Sequence, residues 1–271
     1  MLCSIITQNC FDVPFLNKDR LTKIETLVDQ IVFLNPDLVC LQEITFPKSS
    51  RLMRNILESK GYFVFSKKYL FGFTQGGLMI ASKSPILTST FVSYRDQGRI
   101  TSLQIADRAI SKGYQLVTLL IDGMKVNVVN THLYCVYQED DARQSRAHQS
   151  QLDQLSNDIC RLEGNIILTG DFSEPTSRTK TFSKFLIKTG LIDVTATISD
   201  NRVRIDNTNV IFQNTKFKAG MTGGKYDYIF ASPGLAKNIG QVEIIGCGTK
   251  SINGSDQHLS DHYGIRANIV S

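Results

Sequence analysis

Apolar positions recur along this chain with two different periods, and the switches between them lay out its elements. Leu2 to Thr7 reads as a buried strand, closed by Gln8-Asn9-Cys10. From Leu21 the spacing changes. Leu21, Ile24, Leu27, Val28, Ile31 and Val32 fall on one helical face while Lys23, Glu25 and Asp29 occupy the other, which predicts an amphipathic helix stopped by Pro36. Asp37 to Glu43 is then a short strand that crosses the core and ends on a carboxylate. A second helix is predicted over Ser50 to Lys60, with Leu52, Met53, Ile56 and Leu57 inward and Gly61 as its stop.

Gly77 to Ala81, Tyr114 to Ile121 and Lys125 to Asn130 have strand character, and Asp122-Gly123 joins the last two as a hairpin. Leu152, Leu155, Ile159 and Leu162 predict a helix within Gln144 to Leu162, ended by Gly164. Asn165 to Thr169 returns as a strand ending at Gly170-Asp171, and a helix follows from about Ser177 to Lys188. Strands Tyr226 to Ala231 and Gln241 to Ile245 and a closing strand out to Val270 complete the pattern. Strands outnumber helices and the two are interspersed, as expected of sheets covered by helices in one α/β domain over residues 1–271. No repeat or linker divides the chain.

The predicted strands end on polar residues: Asn9, Glu43, Asn130-Thr131-His132, Gly170-Asp171 and Asp227, with Asp261-His262 entering the last one. Strand ends converge at a sheet edge, where side chains distant in sequence can meet. Four carboxylates (Glu43, Asp171, Asp227, Asp261) with two imidazoles make an oxygen-rich set, which suits Mg²⁺ or Mn²⁺ better than zinc. Gathered without a cation, such carboxylates would repel one another.

Composition narrows this only slightly. A net charge of +5 favours an anionic partner: nucleic acid, an anionic lipid surface or a phosphorylated metabolite. Six scattered cysteines without a Cys-x-x-Cys pair read as reduced core thiols of an intracellular, cytoplasmic protein. The N-terminal residues carry no secretory pattern, and no stretch is long enough to span a bilayer. His148 and His258 are expected to be solvated, and the Asn253-Gly254-Ser255 sequon to be idle. Tyr69-Leu70-Phe71-Gly72-Phe73, next to Lys67-Lys68, has two readings: a loop folded over the core, or one that enters a membrane interface or stacks on bases.

Asn9, Leu41-Gln42-Glu43, Asn130-Thr131-His132-Leu133, Gly170-Asp171-Phe172, Tyr226-Asp227-Tyr228 and Ser260-Asp261-His262 stand in an order and at intervals that resemble the endonuclease/exonuclease/phosphatase superfamily. The resemblance implies a four-layer sandwich of two mainly antiparallel sheets flanked by helices, and Mg²⁺-dependent cleavage of phosphate esters. It implies metal binding by Glu43 and Asp261, with Asn9 near the metal or phosphate. His262, oriented by Asp227, would take a proton from water. His132 would donate hydrogen bonds to phosphoryl oxygens, and Asp171 would orient water or substrate.

Three looser matches are similar to neutral sphingomyelinases: Asn9 through Arg20; His132 with Tyr137, Arg146 and Gln149 downstream; and Asp107 with Lys112-Gly113. They favour a phospholipid over nucleic acid as substrate, with peripheral contact at a membrane. A nuclease or nucleotide phosphatase is the alternative enzyme. Superfamily members usually read Gly-Asp-x-Asn, and Ser173 replaces that Asn in the phosphate-binding role, which opens a third reading as a catalytically weakened binding protein.

Overall fold

In the computed structural model, which describes residues 2–13, 19–98, 110–136, 142–173, 179–196, 225–245, 249–252 and 255–270, the strands use their period of two on both faces. Within β1 (Leu2–Asn9), Ile5 enters one apolar layer and Ile6 another. β2 (Leu38–Gln42) repeats this, with Leu38 and Cys40 on the first side and Val39 and Leu41 on the second. A strand buried on both faces shows no polar side, which is why these two read as continuous runs.

Between these strands lies α1 (Arg20–Phe33), and after them come α2 (Pro47–Ser59), β3 (Phe63–Phe65), β4 (Met79–Ser82) and β5 (Ile86–Ser93). The hairpin of β6 (Gly113–Ile121) and β7 (Met124–His132) precedes α3 (Ala142–Ile159) and β8 (Asn165–Asp171). Next are α4 (Thr179–Thr189), β9 (Ile192–Asp193) and β10 (Asp227–Ala231). The turn α5 (Pro233–Ala236), β11 (Ile239–Ile245), the pair β12 (Thr249–Ile252) and β13 (Ser255–His258), and β14 (Gly264–Val270) follow.

Two six-stranded sheets result, ordered β11-β14-β1-β2-β4-β3 and β5-β6-β7-β8-β10-β9. Neighbours are antiparallel except for one parallel pair at the centre of each sheet, β1 with β2 and β7 with β8. Ile5, Cys40, Ile80 and Ile265 of the first sheet meet Val117, Val128, Ile167 and Ile229 of the second in a shared core. Ile24, Leu27, Ile31, Met53 and Leu57 of α1 and α2 cover the outer face of the first sheet. Leu152, Leu155, Ile159 and Phe185 of α3 and α4 cover that of the second. These are the four layers expected. Among the described residues no helix is long and apolar enough to cross a membrane.

Several boundaries differ from the sequence pattern for identifiable reasons. α2 begins at Pro47, ahead of the predicted Ser50, because proline is pre-set for the first helical position. α3 ends at Ile159, and Leu162 packs on the core from the turn beyond it. β5 went unpredicted because it is an edge strand with Leu87 to Thr90 exposed, so no alternation marks it. Ser255 to His258, a stretch without apolar alternation, forms a strand paired with β12. The Asp122-Gly123 turn is as predicted, with φ of 52° and 78° at its two positions. Ser177, Asn253 and Gly254 lie outside the described residues.

Buried side-chain amides cross the gap between the sheets, Gln42 and Asn130 among them. Gln42 Nε2 in β2 donates to Asn130 Oδ1 in β7 at 2.7 Å, and Asn130 Nδ2 donates to the Leu41 carbonyl at 2.9 Å. Because such bonds are directional and sit in an otherwise apolar layer, they fix how one sheet registers on the other. Asn130→Ala should lower the free energy of unfolding by roughly 1–3 kcal/mol, since it removes the cross-sheet partner of the Leu41 carbonyl and leaves the Gln42 amide only the Thr7 hydroxyl and the Cys40 carbonyl of its own sheet. Urea unfolding of Gln42→Ala, Asn130→Ala and the double variant checks this: the double should cost less than the sum of the singles, and simple additivity would refute the coupling.

Candidate active site

Three neighbouring strands of the second sheet bring three side chains to one place. His132 and Asp171 are register partners across the parallel β7–β8 pair, and Asp227 is opposite Asp171 across β8–β10. Partners in direct register project from the same face. Gly170 makes the approach possible: a Cβ there would stand 2.0 Å from the Thr131 carbonyl oxygen, and its φ is 141°. From the first sheet come Asn9 at the end of β1, Glu43 just after β2, and Asp261-His262 just before β14. Glu43 holds φ at 55°, a left-handed conformation uncommon outside glycine and characteristic of strained functional positions.

Asn9, Glu43, His132, Asp171, Ser173, Asp227, Asp261 and His262, the residues that the superfamily resemblance marks, all come to this region. Asn9 Nδ2 donates to Glu43 Oε1 at 3.1 Å and to Asp171 Oδ2 at 2.9 Å, so one amide bridges carboxylates from the two sheets. His132 Nε2 lies 3.6 Å from Asp171 Oδ2 and 4.0 Å from Glu43 Oε1. His262 Nδ1 is 2.7 Å from Asp227 Oδ2, and its Nε2 is 3.8 Å from Asp171 Oδ2. Ser260 Oγ donates to the Asn9 carbonyl and accepts from the His262 amide, which pins the turn that carries Asp261 and His262.

Burial and mutual repulsion set the charges. Burial, then the nearby Asp261, pushes the Glu43 carboxyl up to about 8. Asp261 is raised by burial to about 6, with His262 pulling it down and Asp171 pushing it up. Asp171 moves the other way: burial opposes ionisation, but His132 and His262 hold it below the usual carboxylate value. For His262 burial disfavours the charged ring, yet Asp227, Asp261 and Asp171 outweigh it and raise the imidazole well above its ordinary range.

Glu43, His132 and Asp171 each offer one ligand atom within 4.8 Å of the others, as do Asp171, Asp227 and His262. Asp261, expected beside Glu43 as a ligand, is present in Glu43's electrostatics, while His132 and Asp171 complete the tight group around it. Glu43 Oε2 is buried with no hydrogen-bond partner among the described residues. An unpartnered carboxylate oxygen in a crowd of acidic groups fits a hard divalent cation.

Ser173 turns inward. Its hydroxyl donates to Asp171 Oδ1 at 3.1 Å and its amide does so at 2.7 Å, with φ at 49°, so it orients Asp171. His148 corrects the expectation of a solvated side chain: it is 2% exposed, with Nε2 2.8 Å from the Phe172 carbonyl oxygen. It sits at the position where α3 meets the sheet, which helical periodicity of apolar residues alone does not register. His258 is exposed, as expected. Arg146 and Gln149 make their side-chain bonds within α3, while Lys112 is buried and donates to the Leu133 carbonyl at 2.8 Å. Asp107 and Tyr137 lie outside the described residues.

One supporting residue was missed. Buried Asp12 accepts from Arg20, from Ser49 Oγ at 2.8 Å, and from the Thr45 and Phe46 amides, and its own amide donates to the Glu43 carbonyl at 3.2 Å. It braces the backbone on the far side of Glu43. Its only signal in the sequence was its place within the Asn9-to-Arg20 stretch.

Four layers with a carboxylate and imidazole cluster drawn from both sheets define an α/β sandwich protein with a candidate divalent-metal centre. The Endonuclease/Exonuclease/phosphatase family matches residues 9–262, and the chain belongs to that family. It is 24% identical to mouse (Mus musculus) sphingomyelin phosphodiesterase 2 over 98% of its own length and 64% of that protein's, so it spans just under two thirds of this relative. Among solved structures it is similar to SmcL, with a TM-score of 0.79 at 18% identity over 99% of both chains. It also resembles a beta toxin variant from Staphylococcus aureus with bound magnesium ions, with a TM-score of 0.73 at 17% identity over 100% of both chains. At that identity the likeness establishes the fold.

The crowding at Glu43 has a measurable consequence. Its folded value of about 8 exceeds the ordinary 4.5, so in ion-free protein its contribution to stability is full below about 4.5 and is lost as pH rises towards 8. Millimolar Mg²⁺ at pH 7.5 should therefore raise the melting temperature by several degrees and release protons on binding. Glu43→Gln should melt higher than the parent without metal and gain little from Mg²⁺. Equal Mg²⁺ shifts in the two proteins would rule out Glu43 as a ligand.

Proposed function

We propose that this chain is a metal-dependent phosphodiesterase of the sphingomyelinase type, which hydrolyses the headgroup phosphoester of a choline-type phospholipid. The observation that carries the hydrolase reading is the 2.7 Å contact between His262 Nδ1 and the buried Asp227 carboxylate, within a cluster that also holds Glu43, His132 and Asp171. Kinship to sphingomyelin phosphodiesterases supports the choice of substrate.

Glu43 and Asp261 would hold the Mg²⁺ or Mn²⁺, with Asn9 beside them. When bound, such a cation offsets charge on a non-bridging phosphate oxygen and steadies the departing one. His262 donates its Nδ1 proton to Asp227, which fixes the tautomer. Once the carboxylate charge that raises the ring in ion-free protein is offset by a divalent cation at Glu43 and Asp261, Nε2 is free to take a proton from the attacking water. Asp227 also stabilises the imidazolium that results. His132 donates to a phosphoryl oxygen as negative charge grows, and Asp171 orients water or substrate from its anchored position between Asn9 and Ser173. Ser173, bonded to Asp171, acts on the phosphate through that carboxylate.

Phosphocholine should form from sphingomyelin with Mg²⁺ and stop on chelation. Removing the base in His262→Ala should cut the rate about 10²–10⁴-fold. Supercoiled DNA, single-stranded DNA and RNA assayed in parallel should be cleaved far more slowly. Cleavage of nucleic acid in place of lipid would transfer the site to the nuclease reading, and no turnover on any phosphoester would leave a binding protein. Ser173→Asn, which restores the usual family residue, tests whether that position limits the rate: an unchanged kcat would exclude it.

A further inference from the structure

The segment between β3 and β4 exposes two large apolar side chains side by side, Leu70 at 61% and Phe71 at 92%. Lys67 and Lys68, just before them, are exposed as well. The segment has a defined shape. Lys68 bridges to Thr74, the Tyr69 amide donates to the Phe73 carbonyl at 2.7 Å, and the Gly72 amide donates to the Tyr69 carbonyl at 3.1 Å. Phe73 turns inward and meets Phe46 edge-on at 5.2 Å. Phe71 itself has φ 55° and ψ 20°, left-handed values that strain the backbone of a bulky residue. A hydrogen-bonded loop thus holds an aromatic ring out in water at the cost of strain, a combination that marks functional surfaces.

Its location ties it to the candidate active site. The Thr74 amide donates to the Thr45 carbonyl at 2.9 Å and the Ile44 amide to the Gly77 carbonyl at 2.8 Å, so the base of the loop is bonded to the residues that follow Glu43. Phe33 and Ile187 are comparably exposed, at 87% and 83%, but each sits on a helix without a second exposed apolar neighbour in sequence.

We propose that Leu70 and Phe71 form the tip by which this protein enters a bilayer carrying anionic lipid, with Lys67 and Lys68 at headgroup level. This rests on the lipid reading of the site: a centre that attacks a headgroup phosphate must be brought to the interface, and this tip stands on the segment that carries Glu43. The order of apolar tip and cationic base follows the profile of an anionic bilayer, hydrocarbon first and headgroups behind. A base-stacking surface is a poorer match, because Leu70 has no aromatic face to offer.

The chain contains no tryptophan, so Phe71→Trp places a single reporter at the tip. With phosphatidylcholine vesicles containing phosphatidylserine, its emission should shift to the blue and be quenched by brominated acyl chains, while Phe33→Trp stays unchanged. The double variant Leu70→Ser, Phe71→Ser should lose at least about tenfold in vesicle partitioning. Each of Lys67→Ser and Lys68→Ser should cost about fivefold at low salt. Phe71→Gly, which relieves the strain, should bind vesicles more weakly than the parent while melting no lower, which separates lost contact from lost folding. Hydrolysis of a soluble phosphocholine ester by these variants should match the parent. Reporter emission unmoved by vesicles would overturn the proposal, as would a blue shift that follows protein concentration alone or appears only with single-stranded DNA. Binding to vesicles that also contain sphingomyelin, with Mg²⁺ present and no phosphocholine released, would retire the sphingomyelinase reading while the tip's entry into the bilayer still held.

Discussion

Everything at the site depends on two separately hydrogen-bonded sheets meeting in one register. Each sheet carries half of the cluster: Asn9, Glu43, Asp261 and His262 come from one, and His132, Asp171 and Asp227 from the other. A packed apolar layer alone tolerates sliding, because dispersion and hydrophobic contacts have little directional preference. Buried amides do not tolerate it. The Gln42–Asn130 contact and the Asn9 bridge to Asp171 both join residues of opposite sheets, so displacing one sheet would leave polar groups unpaired in an apolar layer. The strand pairing adds a second constraint, since a one-residue slip of β8 against β7 would turn Asp171 away from His132.

Built on this frame, the cluster works against the fold that holds it. Glu43 and Asp261 are both pushed upward by burial, and Glu43 further by Asp261, so ionising both in an ion-free protein is unfavourable. Backbone strain collects at the same place, with Glu43 and Ser173 in left-handed conformations and Gly170 in one closed to side chains. The support comes from outside the cluster, where Asp12 gathers Arg20, Ser49 and two backbone amides around the segment after Glu43. Buried like charges and left-handed backbone thus coincide at the cluster, a concentration expected of a functional site.

The Glu43 segment also joins the site to the outer surface. Its Thr45 and Ile44 backbone groups bond the base of the loop that exposes Leu70 and Phe71, so the Glu43 end of β2 and the apolar tip belong to one hydrogen-bonded unit. Docking at the tip would position the site without any change in the sheets.

Much of this was legible in the chain. Apolar periodicity located α1, β2, the β6–β7 hairpin and β14, because a helix or strand must show one face to a core whatever it packs against. Polar residues closing apolar strands marked Asn9, Glu43, His132, Asp171 and Asp227, since strand ends are where polar side chains from several strands gather at a sheet edge. What periodicity does not contain is which strands are neighbours. Asn9 and Asp171 are 162 positions apart, and only the sheet order and the packing of the sheets bring them to 2.9 Å. The same holds for His148, which lies among polar helix positions yet is buried against the Phe172 carbonyl, and for edge strand β5, whose exposed residues carry no pattern. Sequence determined the elements and the residue types at their ends, because those follow from local burial; tertiary structure decided their partners, because contacts across sheets are set by packing between segments far apart in the chain.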